Sequence, residues 1–239
     1  MAFGNWDHFI NTAGASAISL EVGNPIVGSG SLAYNKPNIA STDDFGAHSQ
    51  LDSTFTRGLT KGRIRTLLRV GDGWTDTGSF VEDTGAGIFY MSDTEDITGT
   101  GGNFYTAYVA RERNTPNLFR LLICRSAGQN TLTLACRPDL GAQVLLDTAA
   151  SFVTAGEFVI PIQIEWNLDI AGLGGLRHTM SAGNLGDTNF NNLAVVYDFV
   201  EPSPLTVASF EGLATTFQTG ATVAPFTVVY DQTGVFQLV

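Results

Sequence analysis

The chain has 239 residues, of which 44% are hydrophobic and 15% are charged, so it holds enough apolar side chains for a core and is not a disordered chain. Its formal net charge of −11 at pH 7 argues against a general binder of nucleic acid or of anionic membranes. No apolar run of about 18 residues predicts a membrane helix. The N-terminus, MAFGNWDHF, has no basic start and no apolar core segment, so we expect no secretory signal. We therefore expect synthesis in a cytoplasm and no membrane partner.

Residues 1–55 are dense in Gly, Ser, Asn and Thr and predict an irregular N-terminal arm, with short strands near Ala17–Val22 and Ser31–Tyr34. Residues 56–239 show short apolar runs about ten residues apart, separated by turn residues, as in an all-β domain. The predicted strands of this domain are Arg63–Val70, Gly87–Met91, Asn103–Arg111, Leu118–Arg125, Thr131–Cys136, Gln143–Leu146, Phe158–Ile170, Leu176–Ser181, Leu193–Val200, Leu205–Glu211, Thr222–Tyr230 and Val235–Val239.

The run Phe158–Ile170 (FVIPIQIEWNLDI) gives the clearest strand pattern. Every even position is apolar, whereas the odd positions from Gln163 to Asp169 are polar. Because side chains alternate faces in a strand, this pattern predicts one buried and one wetted face. A long strand of this kind needs a broad sheet and a second layer to cover it. The sequence therefore predicts an antiparallel β-sandwich of jelly-roll type, preceded by the irregular arm.

The two cysteines, Cys124 and Cys136, lie on neighbouring predicted strands joined by a turn at 127–130. That turn would place Cys124 opposite Thr133, which favours two buried free thiols over a disulfide. Free thiols fit a reducing cytoplasm. A bridge between the two is the alternative.

A stripe of cations is the first candidate binding site. Lys61, Arg63, Arg65 and Arg69 all occupy odd positions of one predicted strand, so they share a face. Four like charges on one face call for anions or for a partner's carboxylates, and we expect a partner-binding stripe. Compensation by carboxylates within the fold is the alternative. Trp74, in the loop GDGWTDTG, is a candidate for stacking on a glycan, unless it packs on the end of the sandwich.

No motif predicts a catalytic residue, a cofactor or a metal. His8, His48 and His178 are scattered without metal-binding spacing, and His178 is expected to be an ordinary sheet residue. The acidic loops, such as Asp93–Asp96, lack the spacing of a calcium-binding loop and are interpreted as solvated turns.

Five segments resemble the concanavalin A-like lectin and glucanase jelly roll, over about residues 55–239. They are GRIRTLLRVGDGW, GIFYMSD, YTAYVARE, FRLLICRSAGQNTLTLAC and FVIPIQIEWNLDIAGLGGLRHTMSAG. The resemblance implies a protein that binds sugars, often beside Ca²⁺, or that hydrolyses glycans. Glucanases of this family carry an E-x-D-x-x-E or E-x-D-x-E strand. Here Glu165 and Asp169 share a strand face about 13 Å apart, with Asn167 between them. A retaining glycosidase needs carboxyl groups about 5 Å apart, so we expect that the chain is not an enzyme.

The Gly-, Thr- and Ala-rich composition, the few cysteines and the arm before a sandwich resemble the virion proteins of tailed bacteriophages. This resemblance implies a non-enzymatic structural protein of the virion, either a head decoration or cement protein or an accessory protein of the tail. We expect a homo-oligomer that contacts other virion proteins, with a host-surface glycan as a further partner. A carbohydrate-binding lectin-like module is the alternative function, and a glycan hydrolase is the second alternative.

Overall fold

The computed structural model describes residues 6–12, 17–36, 43–50, 59–71, 85–95, 97, 100–111, 118–130, 143–154, 156–168, 174–206, 209–218 and 226–239. These residues form fourteen β-strands. The strands are β1 (Trp6–Thr12), β2 (Ala17–Glu21), β3 (Ser31–Lys36), β4 (Asp43–Gln50), β5 (Lys61–Val70), β6 (Gly85–Ser92), β7 (Thr100–Arg111), β8 (Leu118–Asn130), β9 (Gln143–Val153), β10 (Phe158–Asn167), β11 (Leu176–Ala182), β12 (Ala194–Glu201), β13 (Phe210–Gln218) and β14 (Phe226–Gln237).

The strands pair into two seven-stranded antiparallel sheets that pack face to face, which confirms the predicted sandwich. The front sheet has the order β12-β11-β10-β5-β14-β3-β2, and the back sheet has the order β1-β4-β13-β6-β7-β8-β9. The core between them includes Leu68, Ile162 and Trp166 from the front sheet and Ile88 and Tyr105 from the back sheet. Across the described parts of the chain, no helix has the length and apolarity to span a bilayer.

Strand β10 follows the predicted alternation. Its even residues from Phe158 to Trp166 are buried, but the strand ends at Asn167 rather than at residue 170. The Trp166 indole donates a hydrogen bond from Nε1 to the carbonyl oxygen of Leu59, 2.7 Å away. Gly62 lies directly under this ring, since a Cβ at that position would sit 2.2 Å from an indole carbon. A residue without a side chain is therefore required opposite Trp166.

In the N-terminal region, β2 and β3 confirm the short strands predicted near Ala17–Val22 and Ser31–Tyr34, whereas no sequence pattern predicts β1 or β4. Strands β2 and β3 extend the front sheet, while β1 pairs with β4, and β4 pairs with β13 in the back sheet. Polar residues in β1 and β4 conceal these two strands, whose pairing is set by the rest of the sheet, because strand preference depends strongly on tertiary context.

Two predicted C-terminal boundaries are also corrected. The strand expected at Leu205–Glu211 begins only at Phe210, as β13. The two strands expected at 222–230 and 235–239 are one strand, β14, whose register shifts between Asp231 and Gly234. A bulge of this kind interrupts the alternation of side chains and so resembles a turn in the sequence. The predicted strand Thr131–Cys136 lies outside the described residues.

The prediction of free thiols is wrong, because Cys124 is disulfide-bonded. Cys136 is the only other cysteine in the chain. The error has a specific cause: β8 continues to Asn130, so the segment 127–130 is strand rather than the expected turn. The register estimated from that turn therefore does not apply.

Candidate functional site

The two sheets have different outer faces. On the back sheet, the outward side chains of Phe89, Phe104, Tyr108 and Leu122 form a second buried apolar cluster. Along β6, β7 and β8 that face is therefore covered. The outer face of the front sheet carries charged and polar side chains that remain partly exposed, so this face is accessible to a ligand.

One end of the front sheet's outer face is covered by the segment 22–30. Arg69 donates to the carbonyl oxygen of Asn24, and the backbone N–H of Val27 donates to Asp231 Oδ2 at 2.8 Å. The Ser31 hydroxyl donates to the same oxygen, also at 2.8 Å. These bonds hold the segment against the sheet, so Arg69 is buried there with a side-chain exposure of 7%.

The rest of this surface, which we call the open face, crosses five strands. Its polar and aromatic side chains are Lys61, Arg63, Arg65, Gln163, Glu165, Asn167, Arg177, Thr179, Asp198 and Phe236. Strand register aligns Phe236, Arg63, Glu165, Thr179 and Asp198 in one continuous row perpendicular to the strands. Four strand spacings make this row about 19 Å long. An extended ligand could therefore contact all five strands at once.

The centre of the row is an ion pair. Arg63 Nε lies 2.7 Å from Glu165 Oε1, and both side chains are about one third exposed (34% and 31%). The contact is electrostatic, since the Nε–H of Arg63 is not aligned for a hydrogen bond. Gln163 Nε2 donates to the same carboxylate oxygen at 3.1 Å. Arg63 and Gln163 thus hold the Glu165 side chain in place through its Oε1 atom.

Arg65 is held differently from Arg63. Its guanidinium carbon lies 4.6 Å from the ring centre of Phe190 and 5.0 Å from that of Phe236, so the cation contacts two phenyl rings. Phe190 belongs to the connection between β11 and β12, so this connection must cross β10 to reach Arg65. Cation–π contacts orient the planar group while leaving its N–H donors available.

A pocket of about 370 Å³ lies at the β11–β12 end of the open face. Asn167, Arg177, Thr179, Asp198 and Leu238 contribute to its lining. Arg177 donates from Nε to Asp198 Oδ1 at 2.8 Å and also from Nη2 to Oδ2, while the Thr179 hydroxyl donates to Oδ1 at 3.0 Å. The hydrogen bond from Arg177 lowers the pKa of Asp198. The pocket is therefore lined by a second, mutually neutralised ion pair.

A separate polar cluster lies inside the sandwich. His178 is fully buried, with Nδ1 2.7 Å from the Tyr90 hydroxyl, and its ring stacks on Phe199. His178 Nε2 faces Glu201 Oε2 at 3.5 Å. Glu201 also accepts from the Tyr105 hydroxyl at 2.6 Å and pairs with Arg125. This cluster ties the two sheets together and lies away from the open face.

The structure separates the predicted site residues. Lys61, Arg63 and Arg65 lie on the open face, whereas Arg69 lies under the segment 22–30. For Arg63, the compensating carboxylate is the cross-strand Glu165 within the fold. Trp74 and Asp169 lie outside the described residues. Among the residues described, no three His, Cys, Asp or Glu side chains converge as metal ligands.

Solved structures with the same architecture include sugar-binding and sugar-cleaving proteins. The chain is similar to the potassium-bound carbohydrate recognition domain of Emp46p, with a TM-score of 0.51 and 10% identity over 99% of this chain and 90% of that one. The chain is also similar to the endo-β-1,4-glucuronan lyase from the fungus Trichoderma reesei, with a TM-score of 0.52 and 11% identity over 98% of this chain and 92% of that one. The fold is that of lectin-like recognition domains and polysaccharide lyases.

A third similar structure is the PL-14 alginate lyase from Aplysia kurodai, with a TM-score of 0.58 and 9% identity over 92% of this chain and 87% of that one. At such identities the likeness shows the fold alone. No family model and no curated protein sequence matches the chain. The predicted concanavalin A-like jelly roll is confirmed at the level of fold.

These neighbours correct the expectation that the chain is not an enzyme. Two of the three are polysaccharide lyases, so the architecture is one that enzymes use. The expectation compared Glu165 and Asp169 with the carboxylate spacing of glycoside hydrolases. That spacing does not bear on a lyase, because a lyase cleaves without a pair of hydrolytic carboxylates.

Several residues of the open face were missed from the sequence. Gln163 stands in the alternating pattern of β10, and pairing β10 with β5 would have placed it beside Arg65. Phe236 was hidden by the bulge in β14. Phe190 belongs to a connection whose path across β10 leaves no periodic signal, so the sequence pattern could not reveal it.

Proposed function

We propose that the open face of the front sheet binds a carbohydrate chain. The observation that carries this proposal is the continuous row of side chains across five strands, beside which Arg65 contacts the rings of Phe190 and Phe236. Planar aromatic and guanidinium groups offer surfaces for sugar rings, and Gln163 and Thr179 offer hydrogen-bonding groups to hydroxyls. The fold, shared with carbohydrate recognition domains and polysaccharide lyases, supports the same proposal.

The experiment is affinity electrophoresis of the chain in gels that contain neutral and acidic polysaccharides. Retardation by at least one polymer is expected, and Phe236→Ala should reduce it about tenfold or more, because it removes an aromatic surface of the open face and one of the two ring contacts of Arg65. Leu20→Ala is the matched control, because Leu20 is exposed on β2 of the same sheet but outside the open face. Equal loss in both variants, or no retardation by any polymer, would contradict the proposal.

Cleavage of the bound polysaccharide by a lyase reaction is the second candidate function. It is favoured by the position of Glu165, whose Oε1 is fixed while Oε2 has no partner among the described residues. Such a carboxylate oxygen is suited to accept a proton from a bound sugar. The test is to incubate the chain with the retained polymer and follow the unsaturated product by ultraviolet absorbance. Loss of that product in Glu165→Gln is expected, and absence of product from the wild type would contradict the candidate.

Assembly into a bacteriophage particle, with copies of itself and other virion proteins as partners, stays a prediction from the sequence. The mass and stoichiometry of the native assembly test it. A monomer that associates with no particle of its source would contradict it.

A further inference from the structure

The charged side chains of the open face are not all paired with an opposite charge. It holds four cations, Lys61, Arg63, Arg65 and Arg177, and two carboxylates. Glu165 contacts Arg63, and Asp198 contacts Arg177, while Lys61 takes part in an interaction of its own. Within the part of the chain that the structure describes, Arg65 has no carboxylate partner. One cation of this face is therefore available to an acidic group on a ligand.

The geometry of Arg65 suits a single planar acid group. The ring centres of Phe190 and Phe236 lie 4.6 and 5.0 Å from the guanidinium carbon, and these two cation–π contacts restrict how the group can turn. A guanidinium presents parallel N–H donors that match the two oxygens of a carboxylate. Because the rings hold the fork in place before binding, little side-chain entropy is lost when a carboxylate docks.

The surroundings of Arg65 disfavour further acid groups. Gln163 is directly opposite Arg65 on β10, so Glu165 is its diagonal neighbour, about 7–8 Å away. Asp198 lies in the same row as Glu165, two strands further on. Because Arg63 and Arg177 already pair with these two carboxylates, a ligand with a carboxylate on every sugar would find no second unpaired arginine on the described open face, and it would approach a chain of net charge −11.

We propose that the ligand of the open face is a largely neutral polysaccharide that carries isolated acidic sugars, one of which places its carboxylate on Arg65. This inference rests on the proposed function and narrows it. It sets the chain apart from a binder of continuous polyuronates, since such a polymer gains one ion pair at Arg65 while its other carboxylates face arginines that are already paired.

The test compares three classes of polymer by isothermal titration calorimetry. Glucuronoxylan and gellan carry isolated acidic sugars, the same two polymers after chemical reduction of their carboxyl groups are neutral, and alginate and polygalacturonate are continuous polyuronates. We expect at least one acid-bearing polymer to bind about tenfold tighter than its reduced form, as one charged hydrogen-bonding pair allows. We expect both polyuronates to bind more weakly than that polymer.

The outcomes separate the inference from the proposed function. Polyuronates that bind as tightly as the isolated-acid polymers, or reduced forms that bind as tightly as their parents, overturn the inference while leaving carbohydrate binding in place. Failure of all six polymers to bind overturns both.

Two variants that each remove one positive charge locate the acid group. Arg65→Gln should lower the preference for the parent over the reduced polymer to about one. Arg177→Gln should weaken both forms alike and keep the preference, because Arg177 is already paired with Asp198. Should Arg65→Gln fail to fold, Arg65→Lys keeps the charge but loses the planar fork, and an intermediate preference is expected. Equal loss of preference in the Arg65 and Arg177 variants, or a preference unchanged when Arg65 is replaced, overturns the inference.

Discussion

The outer faces of the two sheets differ in burial, although both sheets consist of pleated antiparallel strands. Strands β6, β7 and β8 place apolar residues on both faces, and their outer residues Phe89, Phe104 and Tyr108 are fully buried. Strands β5 and β10 alternate, and their outer residues Arg63 and Glu165 are about one third exposed. Apolar residues on both faces of β6 and β7 therefore mark a covered surface, whereas the alternating residues 61–65 of β5 and 163–167 of β10 mark a free one, and there we propose that the ligand binds.

The largest expected effect contrasts two phenylalanines, one from each outer face. Phe89→Ala should lower the free energy of unfolding by about 3–5 kcal/mol, because a fully buried ring is replaced by a cavity. Phe236→Ala should lower it by about 1 kcal/mol or less, since this ring is 36% exposed. Denaturant unfolding measures both. Similar losses in the two variants would mean that the outer faces are not different in kind.

A second contrast uses two buried tyrosines. The Tyr230 hydroxyl joins the sheets: it donates to the Ala214 carbonyl at 2.7 Å, accepts from the Gly87 N–H at 3.0 Å and lies 2.8 Å from Thr215 Oγ1. Tyr230→Phe should cost about 1–3 kcal/mol, because buried partners lose their hydrogen bonds.

Tyr108→Phe is the matched control for that change. The Tyr108 hydroxyl is buried, and no hydrogen-bond partner for it is found among the described residues. Removing it should leave thermal stability unchanged or slightly raised, since a buried polar group without a partner is itself unfavourable. A larger loss for Tyr108→Phe than for Tyr230→Phe would show that the outer face of the back sheet is hydrogen-bonded rather than simply apolar.

The cluster between the sheets should make the fold sensitive to acid. Burial lowers the pKa of His178 below its ordinary value of 6.5, so the unfolded chain binds a proton more readily than the folded one. Stability should therefore fall as pH drops below about 6.5. Burial raises the pKa of Glu201, but His178, Tyr105 and Arg125 outweigh it and the net shift is downward, which adds a further loss below about pH 4.5.

His178→Gln isolates the first part of this pH dependence. The substitution removes the titrating ring, so the slope of stability between about pH 6.5 and 5 should become flatter, even if the variant is less stable overall. Urea midpoints measured across this range provide the test. An unchanged slope would assign the effect to other groups.

The smallest expected effect lies on the open face. Arg63 and Glu165 are partly exposed, and a double-mutant cycle with Arg63→Ala and Glu165→Ala should give a coupling of about 0.2–1 kcal/mol. The coupling should decrease with added salt, because water and ions screen such pairs. A value of several kcal/mol would mean that this ion pair holds the fold together instead of presenting a surface to ligands.

The sandwich could be predicted from the sequence, and so could the shared face of Lys61, Arg63 and Arg65. Both follow from the alternation of side chains within single strands such as β5 and β10. The sequence was insufficient for features that depend on pairing between strands. Three features depend on how distant segments pair, which the pattern within one strand does not reveal. They are the contact of Arg63 with Glu165, the burial of Arg69 under the segment 22–30 and the disulfide of Cys124. The bulge in β14 concealed Phe236 for the same reason.

The central claim is that carbohydrate binds on the open face of the front sheet. Its most direct test is a titration of the isotope-labelled chain with a retained polysaccharide fragment, followed by backbone amide chemical shifts. The account predicts shifts concentrated at residues 61–65, 163–167, 177–179 and 234–237, with β7 and β8 unaffected. Shifts centred on the back sheet, with the open face silent, would contradict it.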